Sequence, residues 1–125
     1  MNTYLKQWKE AHPDYEIRVW GEEDVDRDLS KFQLSSILKD RELNPGLRAD
    51  ALRYDILKLH GGIYVDTDMA LVKPIHSLMQ GITTDLFIGV SHSEAFEVNN
   101  AIIGCIPGHP YIERIIEKLK STFEA

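Results

Sequence analysis

Apolar residues recur along this chain at two spacings, every third or fourth position in some runs and every second in others, and runs of the two kinds alternate. Tyr4, Leu5 and Trp8 mark a helix in TYLKQWKEAHP that stops before Pro13. YEIRVW, 15–20, alternates as a half-buried strand does. The acidic run GEEDVDRD, 21–28, reads as a loop. LSKFQLSSILKD, 29–40, predicts a helix, and NPGLRADALRYDILKLHGG, 44–62, a stronger one, with Pro45 near its start and Gly61 placed to cap its end. A strand, IYVD, follows at 63–66, then an extended piece at 70–74, a short turn or helix around 75–81, strands DLFIGV at 85–90 and AIIGCI at 101–106, and an amphipathic helix over 110–123. Helices that alternate with short apolar strands predict an α/β fold, with a mixed sheet and helices on both faces.

Composition narrows the class. The 125 residues, 43% hydrophobic and 27% charged, fit one domain spanning 1–125. No stretch of eighteen apolar residues occurs and no charged-then-apolar pattern is seen at the start, so neither a membrane span nor a signal peptide is expected. A formal charge of −6 argues against a nucleic-acid partner, because backbone binding needs clustered Lys and Arg. Cys105 is the single cysteine, so no internal disulfide can form; its setting in AIIGCIPG reads as a buried, inert thiol, and the expected location is cytoplasmic.

The central stretch, 47–74, carries the candidate chemistry. In open α/β sheets ligands collect beyond the carboxyl ends of strands, which is where IYVD ends. Alternation turns Ile63 and Val65 to one face, and Tyr64, Asp66 and Asp68 to the other. Two carboxylates at one edge repel unless a hard cation joins them, and Mg²⁺ or Mn²⁺ there would bridge to a diphosphate. Taken alone, Asp-x-Asp is more often a turn whose aspartates accept backbone N–H groups. Upstream, Asp50 and Arg53 are three apart on one helix face, either as an exposed pair of small energetic weight or as part of a site. Asp55 and Lys58, also three apart, read as an ordinary surface pair. Gly61-Gly62 permits a sharp reversal that makes the helix face and the strand end neighbours.

RADALRYDILKLHGGIYVDTDM resembles the DXD-containing sugar-binding region of a glycosyltransferase family that includes yeast-type α-mannosyltransferases, bacterial capsular-polysaccharide transferases and, more distantly, the large clostridial glucosylating toxins. WKEAHPDYEIRVWGEED and NNAIIGCIPGHPYI resemble flanking segments of the same family, so the likeness covers roughly the whole chain; the first basic residue, Arg48, is loosely placed. The resemblance implies a GT-A, Rossmann-like fold and a retaining transferase that moves a hexose from a UDP- or GDP-sugar to a glycan or polysaccharide acceptor, with Mn²⁺ or Mg²⁺. By position it implies Asp68 as the direct metal ligand, with Asp66 shared between the sugar or ribose and the metal. It further implies Asp50 and Arg53 at the sugar hydroxyls and phosphate side, Tyr64 at the nucleotide pocket, and Asn99 and Asn100 near the transferred sugar, a turn role being as good for either. His109 reads as a cap of the last helix rather than a site residue.

Two departures from the family pattern bear on this reading. The family's opening Ile-Pro-Lys-Ile-Ile-His-like strand is missing before MNTYLKQW, and KSTFEA stops ahead of any acceptor-binding segment. The expectation is therefore a partial domain with an open sheet edge, capable of self-association. A truncated, non-catalytic nucleotide-sugar-binding domain is the alternative. A haloacid-dehalogenase-type phosphohydrolase is weaker, because Ala70 stands where that pattern wants Thr or Val. A glycosidase is weaker still, since its two carboxylates stand about 5 to 9 Å apart on separate elements.

Overall fold

The computed structural model describes residues 3–67, 75, 79, 84–92 and 96–123, with the backbone alone for Thr3, 90–92 and 96–100. Its elements are α1 (Thr3–Ala11), α2 (Glu22–Asp28), a 3-10 turn (Leu29–Lys31), α3 (Ser35–Leu38), α4 (Pro45–His60), β1 (Gly62–Val65), β2 (Leu86–His92), β3 (Phe96–Cys105) and α5 (Pro110–Phe123). Helices and a small sheet make the fold α/β. Helices α1, α4 and α5 lie where periodicity predicts them.

Helix α4 forms for local reasons. The Asn44 side-chain oxygen accepts the Gly46 N–H at 2.7 Å, and Pro45 occupies the first turn, where its missing N–H costs nothing. Gly61 ends the helix, donating to the Leu57 carbonyl at 2.8 Å. Its φ of 64° suits glycine, and a Cβ there would lie 2.6 Å from Pro107 Cδ. Gly62, with φ 94°, completes the reversal into β1.

The sheet has the order β1-β3-β2, and both pairings are antiparallel. This corrects the expected mixed sheet among the described strands. The reason is visible in chain length: β2 ends at His92 and β3 begins at Phe96, too close for the crossover that a parallel pair needs. Register places Tyr64, Ile103 and Ile88 side by side, and this face packs with Leu86 and Cys105 on a core that includes Leu57, Ile112 and Ile116. Ile103, Ile112 and Ile116 are fully buried, each worth about 1.5–3 kcal/mol by apolar transfer. On the other face the Phe87 ring lies across Gly104, where a Cβ would collide with it.

Three further expectations are corrected. Residues 15–20 form no strand and have no ladder partner among the described residues; Val19 is 57% exposed, while Trp20 turns toward Phe32, with ring centroids 6.1 Å apart. The acidic run 21–28 is not a loop. Glu22, Glu23 and Asp24 fill the first turn of α2, where the helix dipole favours negative charge, and Asp24 accepts the Gly21 N–H at 2.8 Å. The helix expected over 29–40 is broken into the 3-10 turn and α3, because Asp55 reaches across from α4 to accept the Gln33 and Leu34 N–H groups at 3.0 and 2.8 Å. Asp55 is thus buried rather than half of a surface pair, and Lys58 pairs instead with Glu113 at 2.7 Å.

Cys105 is half-buried with its Sγ 4.0 Å from the Leu57 carbonyl, and burial raises its pKa, as suits an inert thiol. The extended piece at 70–74 lies outside the described residues, as does the run 75–81 apart from Ile75 and Met79. Among the described residues no helix is long and apolar enough to cross a membrane.

Candidate functional site

Four side chains meet where α4 faces the end of β1. Arg53 is buried, and its Nη2 lies 2.8 Å from Asp50 Oδ1 and 3.3 Å from Asp66 Oδ1. Its guanidinium carbon stands 4.6 Å from the centre of the Tyr64 ring. The Tyr64 hydroxyl donates to Asp66 Oδ1 at 2.7 Å. Each contact has a local cause. The three-residue step on α4 puts Asp50 and Arg53 on one face, the Gly61-Gly62 reversal folds β1 back beside it, and alternation on β1 turns Tyr64 and Asp66 to the same side. The Asp66 N–H donates to the Ala101 carbonyl at 2.9 Å, which holds its backbone to β3.

The electrostatics are those of a buried cation shared by two half-exposed carboxylates. The Arg53 side chain is 5% exposed, against 49% for Asp50 and 30% for Asp66. A buried guanidinium needs such partners to offset its desolvation. Asp50 and Asp66 therefore present acceptor oxygens outward from a common anchor, while Arg53 lies behind them. Burial, then the hydrogen bond to Asp66, pushes the Tyr64 phenol well above its usual pKa, so it remains an O–H donor at any physiological pH.

The structure thus gathers Asp50, Arg53, Tyr64 and Asp66. Tyr64 is half-buried, with one ring face under Arg53 and its body against the core. Asp68 lies outside the described residues. Asn99 and Asn100 are described in backbone only, and they precede Ala101 on β3 at the sheet end where Asp66 is anchored. The β2–β3 register steps there from Ile88↔Ile103 to Gly89↔Asn99, an irregularity of the kind that re-aims side chains near sites. His109 is a cap: its Nδ1 accepts the Tyr111 N–H at 3.0 Å at the start of α5.

Arg48, the loosely placed basic residue, is a clip between helices. Nη1 and Nη2 fork the Glu22 carboxylate at 2.6 and 2.9 Å, and Nε and Nη2 reach the Leu38 carbonyl at 3.2 and 2.7 Å. Its hydrogen bonds hold Glu22 below the ordinary carboxylate pKa. Periodicity gave no sign of this clip or of the Asp55 cap, because both partners lie in other elements. Nor did it mark His12, whose buried ring bonds Ile75.

A divalent cation would seek carboxylate oxygens. Asp66 already gives Oδ1 to Tyr64 and Arg53, which suits a carboxylate that borders a cation while it also meets a ligand hydroxyl. Among the described residues no three His, Cys, Asp or Glu side chains gather to hold a metal.

Comparison with known proteins bears on this geometry. Residues 1–85 match the family described as the glycosyltransferase sugar-binding region containing DXD motif, a span that includes Asp50, Arg53, Tyr64, Asp66 and Asp68. Inositol phosphoceramide mannosyltransferase 2 of Schizosaccharomyces pombe is 31% identical over 115 residues, covering 90% of this chain and 32% of that protein. A mannosyl phosphorylinositol ceramide synthase of Saccharomyces cerevisiae is 30% identical over 127 residues, 95% of this chain and 32% of its own. The initiation-specific alpha-1,6-mannosyltransferase of the same yeast is 36% identical over 80 residues, 60% of this chain and 17% of its own. The chain spans about a third of the length of the first two relatives. No solved structure matches it. The family match favours the glycosyltransferase reading over the phosphohydrolase one. By the extent of that match, and by the residues inside it, the chain belongs to the family of glycosyltransferase sugar-binding regions that contain the DXD motif.

Proposed function

We propose that this chain forms the donor-sugar end of a metal-dependent, retaining hexosyltransferase of GT-A type, which moves a hexose from a UDP- or GDP-sugar to a hydroxyl of a glycan acceptor. The observation that carries the reading is the Asp50–Arg53–Asp66 constellation at the carboxyl end of β1. The relatives are named for different products but share mannose, and this supports mannose as the hexose.

In this reading Asp50 and Asp66 accept hydroxyls of the donor sugar, and Arg53 fixes the spacing of the two carboxylates from behind. Tyr64 holds Asp66 in place by an O–H that burial keeps protonated. Acceptors set in advance lose little entropy when the sugar arrives, and they orient its anomeric carbon for transfer. A divalent cation, bound through Asp68 with Asp66 beside it, would supply positive charge to the departing diphosphate. Asn99 and Asn100 would line the same sheet end. A cytoplasmic setting is compatible with the single cysteine, which needs no oxidising compartment. Self-association through a sheet edge is supported by β1, which has a ladder partner on one side among the described residues.

Calorimetric titration of UDP- and GDP-sugars with and without Mn²⁺ tests the reading. Metal-dependent binding that weakens in Asp66→Asn is expected. Binding unchanged by EDTA would remove the metal, and binding of no nucleotide sugar would remove the donor-site reading itself.

A further inference from the structure

Helix α4 is buried on two sides. Ala51 and Asp55 are buried along one side of it, and Arg53 and Leu57 along another, since a step of two residues turns a helix by about 200° and a step of four by about 40°. Its apolar residues form no single stripe: Ala51, Leu52, Tyr54, Ile56 and Leu57 all pack on the core, and they stand all round the axis. Apolar burial has no direction, so it does little to choose the rotation of α4 about its own axis. Directional polar contacts choose it.

Two such contacts lie on opposite sides of the helix. On one, Arg53 reaches Asp66 at 3.3 Å. On the other, both carboxylate oxygens of the fully buried Asp55 are taken, Oδ1 by the Gln33 N–H at 3.0 Å and Oδ2 by the Leu34 N–H at 2.8 Å. Paired bonds to successive amides fix the carboxylate in a way that one bond cannot. The amides are fixed in turn, because Leu34 is fully buried and the pair lies between the 3-10 turn and α3. We propose that Asp55 is a positioning residue for the donor-sugar constellation: its bonds to Gln33 and Leu34 set the rotation of α4, and so aim Asp50 and Arg53 at Asp66. The lever is short. A side chain at the rim of a helix stands about 5–6 Å from the axis, so a turn of about 10° moves a carboxylate there by about 1 Å. A misplacement of about 1 Å can cost about 100-fold in function. Asp55 points away from the constellation and acts through the helix.

The consequence for the sugar rests on the donor-site reading, whereas the aim of Arg53 does not, and the two are read separately. The nitrogen–proton NMR resonance of the buried Arg53 side-chain Nε–H is followed without ligand in wild type, Asp55→Ala, Asp55→Asn and Ile116→Val. Asp55→Ala removes both acceptors, Asp55→Asn keeps the shape and one accepting oxygen, and Ile116→Val loosens the core while leaving both anchors in place. Circular dichroism checks that each variant folds. In Asp55→Ala the Arg53 resonance should move and its hydrogen should exchange roughly tenfold faster than in wild type, the size of one net hydrogen bond. Asp55→Asn should lie between the two, and Ile116→Val should keep the wild-type position. A resonance unmoved in both Asp55 variants, or moved as far in Ile116→Val, overturns the proposal. So does a chain that folds in neither Asp55 variant, since Asp55 would then serve folding rather than aim. The second readout is the preference for GDP-mannose over GDP, and for UDP-glucose over UDP, with Mn²⁺. Asp55→Ala should lose most of a roughly tenfold preference while diphosphate affinity stays within about twofold, and Ile116→Val should keep it. A preference intact in Asp55→Ala overturns the proposal. Absence of nucleotide-sugar binding in wild type would count against the donor site and leave the Arg53 result standing.

Discussion

Arg53 Nη2 and Asp66 Oδ1 lie 3.3 Å apart, although one residue sits in the middle of α4 and the other just beyond β1. The contact exists because two glycines reverse the chain between them. It joins a charge pair internal to a helix to a strand-end carboxylate, and it leaves Asp50 and Asp66 with a common origin.

That dependence makes Gly61 the backbone position on which the site turns. Gly61→Ala forces a side chain into φ 64° and against Pro107, whose Cδ would lie 2.6 Å from the new Cβ. Stability should fall by about 1–3 kcal/mol from backbone strain alone. Urea denaturation would show it as a lowered midpoint with an unchanged slope; a midpoint equal to wild type would mean the reversal is not held as described.

Tyr64→Phe removes the O–H that donates to Asp66 Oδ1 while the ring beneath Arg53 remains. Loss of a hydrogen bond to a charged acceptor should cost about 1.5–3 kcal/mol at most, less where water reaches Asp66. Nucleotide-sugar affinity should drop with little change in fold. Calorimetry and circular dichroism on one preparation separate the two effects.

Asp55 gives a pH signature. Burial raises its pKa despite the two N–H groups it accepts, so the folded state holds this proton more tightly than the unfolded state does. Its contribution to stability is then greatest below the unfolded value and is lost as pH rises through the folded one. Glu22, Asp24 and Asp28, whose pKa values are lowered by Arg48, by the Gly21 N–H and by Arg27 respectively, act in the opposite sense, and their contribution is lost as pH falls. The stability gap between wild type and Asp55→Asn should therefore be wider near pH 4 than near pH 7, as measured by urea denaturation. A gap that widens with rising pH would contradict the burial argument.

Much of this could be read from residue order, for physical reasons. Helix α4 carries its own start and stop signals in Asn44-Pro45 and Gly61, and the shared face of Asp50 and Arg53 follows from helical geometry alone. The meeting of Tyr64 with Asp66 follows from strand alternation. Residues 15–20 alternate just as clearly, yet they find no ladder partner among the described residues, because a pattern states which side would be buried and not whether a neighbour exists. The break at Gln33 and Leu34 was hidden because its cause, Asp55, lies 21 residues or more away. The antiparallel pairing was hidden because the apolar runs at 85–90 and 101–106 leave a long gap between them, whereas the strands extend through more polar residues to His92 and from Phe96.

The central claim is that Asp50 and Asp66, held by Arg53, recognise the sugar of the donor. The most direct test is calorimetric comparison of a nucleotide sugar with its parent nucleotide diphosphate, GDP-mannose against GDP and UDP-glucose against UDP, in the presence of Mn²⁺. In wild type one sugar-bearing ligand should bind about tenfold more tightly than its diphosphate, the increment expected of a hydrogen bond or two to charged acceptors. Asp50→Ala should erase that increment and leave diphosphate binding within about twofold. An increment that survives Asp50→Ala intact, or that is absent from wild type for both bases, would contradict the assignment of this constellation to the sugar.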